Sequence, residues 1–186
     1  MTLPHDNNAP RFPESALKAA TSVRLLALDV DGVLTDGGIY IGDQGEMFKR
    51  FNSQDGLGIR LLQRAGIDVC IITGRSSQIV LQRAAELSVG TVLQGCKNKR
   101  DALEQLAQDR GLKSHEVAFA GDDLPDLPAM DFSGFAVAVA NAHTAVLAKA
   151  NWTTSRSGGA GAVRELCDLI LVAQNKSNTT VDDYSG

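Results

Sequence analysis

The 186-residue sequence contains no apolar run that approaches the ~20 residues needed for a membrane-spanning helix. Its opening stretch, MTLPHDNNAPRFP, lacks the basic head and apolar segment of a signal peptide. A GxxxxGK[ST] motif is also missing, which disfavours a P-loop nucleotide hydrolase. These absences predict a cytoplasmic protein that has no membrane partner.

The sequence also has few cysteines and no excess of positive charge. The three cysteines, Cys70, Cys96 and Cys167, form no CxxC pair, so neither a disulfide framework nor a structural zinc site is expected. The formal net charge is −4 and the isoelectric point is about 5.3, so anionic polymers and anionic membranes would be repelled. Nucleic acid is therefore not an expected partner.

What is present is enough apolar material for one domain, since 44% of the residues are hydrophobic. We expect a single domain over residues 23–175, between a flexible N-terminal arm (residues 1–22) and a flexible polar tail (residues 176–186). A short helix over residues 14–20 is compatible with the arm.

Short apolar runs alternate with segments of helical period along the domain. The runs are typical of buried parallel strands and cover residues 24–30, 67–73, 91–93, 116–120 and 135–139. The helical segments cover residues 56–65, 77–87, 99–108 and 162–173. This alternation predicts an α/β fold with a Rossmann-like parallel sheet and helices on both faces.

One segment, residues 37–51, breaks the alternation. Two short strand-like runs flank Gly42-Asp43-Gln44-Gly45, which is the signature of a β-hairpin. Because the segment follows the first strand directly, the hairpin is predicted to form a flap above the sheet.

Polar residues follow the predicted strands at their carboxyl ends. Asp29 and Asp31 follow the first strand, Thr73 the second, and Asp122 the fourth. Ligands of parallel sheets bind at this edge, and carboxylates that converge there repel one another unless a cation lies among them. Oxygen ligands favour Mg²⁺, whereas Lys99 and the Thr73 hydroxyl are suited to hold phosphoryl oxygens. The set predicts phosphoryl transfer.

The ordered motifs DVDGVLTD, IITGR, Lys99 and GDDLPD resemble those of haloacid dehalogenase-like phosphatases over about residues 24–140. The resemblance implies that Asp29 attacks phosphorus to form an aspartyl-phosphate. Asp31 would protonate the leaving oxygen and later activate water, while Thr73 and Lys99 would bind the phosphoryl group. The carboxylates of Asp29 and Asp122 and the backbone carbonyl of Asp31 would hold Mg²⁺.

A narrower resemblance rests on the flap, FNSQDGLGIRLL, QGCKNK and RSGGAGAVRELCDLIL, over residues 24–174. These segments are similar to the phosphatases of 3-deoxy-D-manno-octulosonate 8-phosphate, which act in lipopolysaccharide precursor biosynthesis and have no cap domain. The resemblance implies that this phosphorylated sugar acid is the substrate. By position, the substrate contacts would be Asp31, Asn52, Asp55, Gly56, Arg60, Arg75, Arg83 and Lys99. Gln54 stands where that family often has arginine, which leaves Arg60 and Arg75 as candidates for the substrate's carboxylate.

Several alternatives stay open at this level. A nine-carbon sugar acid phosphate offers the same chemical groups as the eight-carbon one. A receiver domain also combines aspartates, threonine, lysine and Mg²⁺, although its acidic pair precedes the accepting aspartate. A catalytically idle assembly subunit would keep the same scaffold.

The small size of the chain predicts how the site is closed. No cap domain fits between the motifs, and a lone two-stranded hairpin is marginally stable in water. We therefore expect a ring-like homotetramer, as the resemblance also implies, in which apolar flaps pack together and a neighbouring protomer completes each site. The glycine-rich residues 156–162 are either a gate over the site or a loop that leads into the last helix.

Overall fold

We describe residues 12–177 in a computed structural model of the chain. The helices are α1 (Glu14–Ala20), α2 (Ser53–Arg64), α3 (Gln78–Glu86), α4 (Lys99–Asp109), α5 (Leu127–Phe132), α6 (Thr144–Lys149) and α7 (Ala162–Ala173). The strands are β1 (Leu25–Leu28), β2 (Tyr40–Gly42), β3 (Gly45–Phe48), β4 (Asp68–Ile72), β5 (Thr91–Leu93), β6 (Val117–Gly121), β7 (Phe135–Ala138) and β8 (Trp152–Thr153).

Six strands form one parallel sheet in the order β5-β4-β1-β6-β7-β8. Every residue of β1 is buried, as its continuous apolar run predicts for a strand covered on both faces. From β1 the chain builds β4 and β5 on one side of the sheet and then returns to build β6, β7 and β8 on the other. The carboxyl end of β1 therefore lies at a topological switch point, where α/β sheets bind their ligands.

Helix α1 belongs to the packed domain. It contacts α7, and both Ala16 and Ala20 are buried in the core. The domain thus extends further toward the N-terminus than the predicted boundary at residue 23, because the short apolar face of α1 is enough to hold it against α7. The rest of the predicted arm and most of the predicted tail, residues 1–11 and 178–186, lie outside the described residues.

The predicted flap is present as an antiparallel pair of β2 and β3. Its two ends are joined by a bridge between Thr35 and Phe51. Gly45 has a φ of +104°, a left-handed conformation that favours glycine at the turn. Four apolar flap side chains are exposed by about half or more: Ile39, Ile41, Met47 and Phe48.

The glycine-rich loop before α7 lies directly against the segment that follows β1. The amide of Gly159 donates a hydrogen bond to the carbonyl of Val33 at 3.0 Å. A Cβ at Gly158 would lie 1.6 Å from the carbonyl oxygen of Gly32, so a side chain cannot be accommodated there. Across residues 12–177, none of the helices has both the length and the apolar character needed to cross a bilayer.

Candidate active site

Six of the predicted site residues meet at the carboxyl ends of the central strands. They line one open cavity of about 350 Å³. The six are Asp29, Asp31, Thr73, Arg75, Lys99 and Asp122. Asp123 and Asp126 of the GDDLPD motif line the same cavity.

Lys99 is the buried cationic centre of this cavity. It is the first residue of α4, which is capped by Asn98, and its side chain is 5% exposed. Its Nζ donates to Asp29 Oδ1 at 2.7 Å and to Asp126 Oδ1 at 2.6 Å. Burial alone would lower the pKa of Lys99, but the two carboxylates raise it above its usual value. The ammonium therefore keeps its charge beside Asp29.

Asp126 orients the other members of the cluster. While its Oδ1 accepts from Lys99, its Oδ2 accepts the backbone N–H groups of Asp122 at 2.9 Å and Asp123 at 3.2 Å. Both oxygens are thus engaged within the protein. Asp126 holds the lysine and the loop after β6 in one arrangement.

Negative charge in the cluster exceeds what Lys99 neutralises. Burial and the charge of Asp126 raise the pKa of Asp29 to about 6, although Lys99 opposes the shift. Burial and repulsion from neighbouring carboxylates, first among them Asp29, raise the pKa of Asp122 to about 7. Such shifts mark a place where a further cation would be stabilised.

The oxygen atoms fit a hard divalent cation. One carboxylate oxygen each from Asp29, Asp122 and Asp126 lies within 4.8 Å of the other two. Because Asp126 is already engaged, Asp29 and Asp122 are the side chains that would hold Mg²⁺. Gly32 makes this approach possible, since a Cβ there would lie 2.1 Å from Asp122 Oδ2. The backbone carbonyl of Asp31 as a third ligand remains a prediction.

Asp31 has partners from outside the predicted set. Its Oδ1 lies 2.5 Å from Nζ of Lys49, which belongs to the flap, and its Oδ2 lies 3.6 Å from Arg75 Nε. Lys49 also contacts Glu46 at 3.1 Å. Sequence reasoning did not single out Lys49, because one lysine in a hairpin carries no motif and is ordinarily an exposed charge.

Four of the other predicted substrate contacts surround a separate small pocket at the base of the flap. Asn52 caps α2 by accepting the amide of Gln54 at 2.8 Å. Asp55 is buried and accepts the amide of Arg164 at 2.7 Å, which joins α2 to the start of α7. Burial raises the pKa of Asp55, against hydrogen bonds that lower it.

The two remaining members of this group pack on each other. A Cβ at Gly56 would lie 2.4 Å from Nη2 of Arg83, whose guanidinium also lies over the ring of Phe51 at 5.8 Å. Within one chain, all four residues contact other parts of the protein: Asn52, Asp55, Gly56 and Arg83. Their contact with substrate stays a prediction.

Arg60 lies outside the catalytic cavity of its own chain. It lines a groove with Arg64 and Asp68, and its Nη1 donates to Ser88 Oγ. Arg75 is therefore the predicted carboxylate-binding arginine that the fold brings to the cavity. Gln54, in turn, accepts a hydrogen bond from Arg156 at 3.0 Å and so ties α2 to the glycine-rich loop.

Comparisons with known proteins agree with this geometry. The family model described as haloacid dehalogenase-like hydrolase matches residues 91–166. The 3-deoxy-D-manno-octulosonate 8-phosphate phosphatase of Escherichia coli is 48% identical over 157 residues, which are 84% of each chain.

Two solved structures extend the comparison to the fold. The phosphatase of the same name from Yersinia pestis has a TM-score of 0.87 and 47% identity, with 89% of each chain covered. The one from Moraxella catarrhalis, solved with magnesium, phosphate and 3-deoxy-D-manno-octulosonate, has a TM-score of 0.89 and 41% identity. That match covers 91% of this chain and 98% of the other.

These similarities exclude the receiver-domain alternative. A receiver domain would not share such sequence identity with these phosphatases over most of its length. The predicted α/β fold, with a parallel sheet flanked by helices and a hairpin flap, is confirmed. Residues 12–177 contain no separate cap domain, as the resemblance implies. The chain belongs to the 3-deoxy-D-manno-octulosonate 8-phosphate phosphatase family of haloacid dehalogenase-like hydrolases.

Proposed function

We propose that this protein is a Mg²⁺-dependent phosphatase that releases phosphate from 3-deoxy-D-manno-octulosonate 8-phosphate. The observation that carries the proposal is the buried contact of Asp29 with Lys99, beside Asp122, at the switch point of the sheet. The family membership of the chain supports the same reaction. The reaction is one step in the formation of lipopolysaccharide precursors.

The chain's own residues supply the covalent chemistry. A carboxylate oxygen of Asp29 attacks phosphorus, the bond from phosphorus to the sugar oxygen breaks, and Asp31 gives that oxygen a proton. Water then attacks the aspartyl-phosphate and passes its proton to Asp31, which releases phosphate and restores Asp29. Lys99 and Thr73 bind the phosphoryl oxygens during both steps. When bound by Asp29 and Asp122, Mg²⁺ supplies Lewis-acid stabilisation of the phosphoryl charge.

Recognition of the sugar acid falls to Arg75 in the first place. Its side chain is about half exposed at the cavity, where a guanidinium can pair with a carboxylate through two hydrogen bonds. Its distance of 3.6 Å from Asp31 places the positive charge next to the proton donor. A nine-carbon sugar acid phosphate carries the same carboxylate and a terminal phosphate, so the two substrates differ in the number of carbons that separate these groups.

A substrate panel tests this function. With Mg²⁺ present, we expect kcat/KM to be highest for 3-deoxy-D-manno-octulosonate 8-phosphate, followed by its nine-carbon relative. For simple sugar phosphates that lack the carboxylate, kcat/KM should be at least ~10²-fold lower, because such substrates offer Arg75 no carboxylate to bind. Phosphate release is the measurement, and an Arg75→Met variant is the control. In this variant, kcat/KM should differ less between substrates with and without the carboxylate. A preference for sugar phosphates without a carboxylate would contradict the proposal.

We also propose that the enzyme works as a cytoplasmic homotetramer. Cys70, Cys96 and Cys167 are free thiols, as a reducing compartment favours. Among residues 12–177, nothing covers Ile41 and Met47 of the flap, whose side chains are 70% and 63% exposed. Such exposure of large apolar side chains is unusual for a two-stranded hairpin, which is marginally stable by itself. Association of flaps around a closed symmetry axis would bury these side chains.

A charge placed on the flap tests the assembly. For Ile41→Glu we expect light scattering to fall from about four times the 19.7 kDa chain mass to that of a smaller species. KM should rise ~10-fold or more, because a neighbouring chain would no longer complete the site. Val172→Glu, an equal change at an exposed position of α7, is the control and should keep both values. A fully active wild-type monomer would overturn the tetramer.

A further inference from the structure

Lys49 is buried although it belongs to an exposed hairpin. Its side chain is 2% exposed, whereas the neighbouring Arg50 is 61% exposed. The Lys49 ammonium lies between two carboxylates, 2.5 Å from Asp31 Oδ1 and 3.1 Å from Glu46 Oε1. A buried ammonium is stable only when such partners replace its lost water. The flap is thus joined through one atom to the proton donor of the proposed reaction.

The second carboxylate, that of Glu46, is anchored outside the flap at the start of α3. Ser77, the N-cap of α3, donates its hydroxyl to Glu46 Oε2. Arg75 Nη2 lies 4.0 Å from Glu46 Oε1. Because Val80 and Ala84 of α3 are buried in the core, Glu46 ties Lys49 to an element of the packed domain as well as to the flap.

The two carboxylate oxygens of Asp31 have different neighbours. Oδ1 is held by Lys49, whereas Oδ2 lies 3.6 Å from Arg75 Nε, beyond hydrogen-bonding distance. Asp31 lines the catalytic cavity together with Asp29. Oδ1 is therefore held in place, whereas Oδ2 is left available to exchange a proton with a bound substrate.

We propose that Lys49 is a positioning residue, which fixes Asp31 Oδ1 so that Oδ2 is the atom that exchanges the proton. The inference rests on the proposed function. In the first step the proton leaves Oδ2 for the ester oxygen as the phosphorus–oxygen bond breaks and the bond to Asp29 forms. In the second step the attacking water returns a proton to Oδ2. The flap thereby sets the geometry of proton transfer without touching the reacting atoms.

Leaving-group dependence separates this role from a structural one. A series of aryl phosphates from p-nitrophenyl to phenyl phosphate would be hydrolysed by wild type, Lys49→Met and Lys49→Arg, with saturating Mg²⁺. The p-nitrophenolate ion leaves without a proton, whereas phenolate needs one far more. In Lys49→Met we expect kcat/KM for phenyl phosphate to fall ~10- to 100-fold and that for p-nitrophenyl phosphate by less than ~3-fold. Lys49→Arg should recover most of the loss.

Arg50→Met is the matched control, since Arg50 is an exposed cation of the same flap, and it should leave the series unchanged. If Lys49→Met does not fold, Glu46→Gln provides the second variant and should steepen the dependence on leaving group in the same direction. An equal loss for every substrate would overturn the inference and leave Lys49 a purely structural residue. A wild type that hydrolyses none of the series and no sugar acid phosphate would instead overturn the proposed function.

Discussion

Replacement of Asp29 by asparagine should lower kcat at least ~10³-fold while the fold persists. An amide neither attacks phosphorus nor carries the charge that faces Lys99 at 2.7 Å. The fold should survive, because Lys99 keeps its second partner Asp126 at 2.6 Å and because repulsion with Asp122 is removed. Steady-state phosphate release gives kcat, and thermal melting reports the fold.

The same experiment needs a control for the loss of one carboxylate. Asp131→Asn changes a half-exposed aspartate that pairs with Lys149, and it should keep wild-type turnover. Mass spectrometry of a rapidly quenched wild-type reaction should find the phosphoryl group on the peptide that contains Asp29. Near-normal phosphate release by pure Asp29→Asn protein would contradict the assignment of Asp29 as the nucleophile.

Removal of Mg²⁺ should abolish activity, and its return should restore it. The reason is the concentration of carboxylates at the cavity, where burial and mutual repulsion raise the pKa values of Asp29 and Asp122. A bound cation relieves this repulsion, so it also stabilises the folded state. At a hundred times its Kd, Mg²⁺ contributes about 2.7 kcal/mol to unfolding free energy. For a chain of this size that raises Tm by roughly 5–10 °C.

The rise in Tm separates binding from catalysis. Asp122→Asn should reduce both the Tm shift and the activity at limiting Mg²⁺, whereas Asp131→Asn should retain them. Full activity after exhaustive chelation, with no metal found by elemental analysis, would refute the requirement. Na⁺ at matched ionic strength is the control for general screening.

Long apolar runs made most of the fold predictable. The run at residues 24–30 indicated a strand covered on both faces, and β1 is buried at every position. The periodic segment 162–173 coincides with α7, because an apolar face sustained over three turns leaves few other interpretations. The catalytic cavity was predictable for the same reason, since Asp29, Thr73 and Asp122 follow strands whose carboxyl ends must meet.

Short elements and isolated charges escaped prediction. Strand β8 has two residues, and α5 and α6 have six each, too few for any period to emerge from the sequence. The burial of Lys49 depends on its contacts with Asp31 and Glu46, which lie on different elements. No local sequence pattern therefore indicates that Lys49 is buried. The same holds for Asp55, whose bond to Arg164 spans more than a hundred residues of sequence.

The contact between the glycine-rich loop and the segment after β1 has a consequence for synthesis on the ribosome. The residues around Asp29 emerge early, yet β6 follows roughly ninety residues later and the Gly159–Val33 hydrogen bond later still. A nascent chain therefore carries Asp29 while β6 and the loop before α7 have still to be made. Catalytic competence therefore has to wait until the loop before α7 has been made and packs against the segment that follows β1.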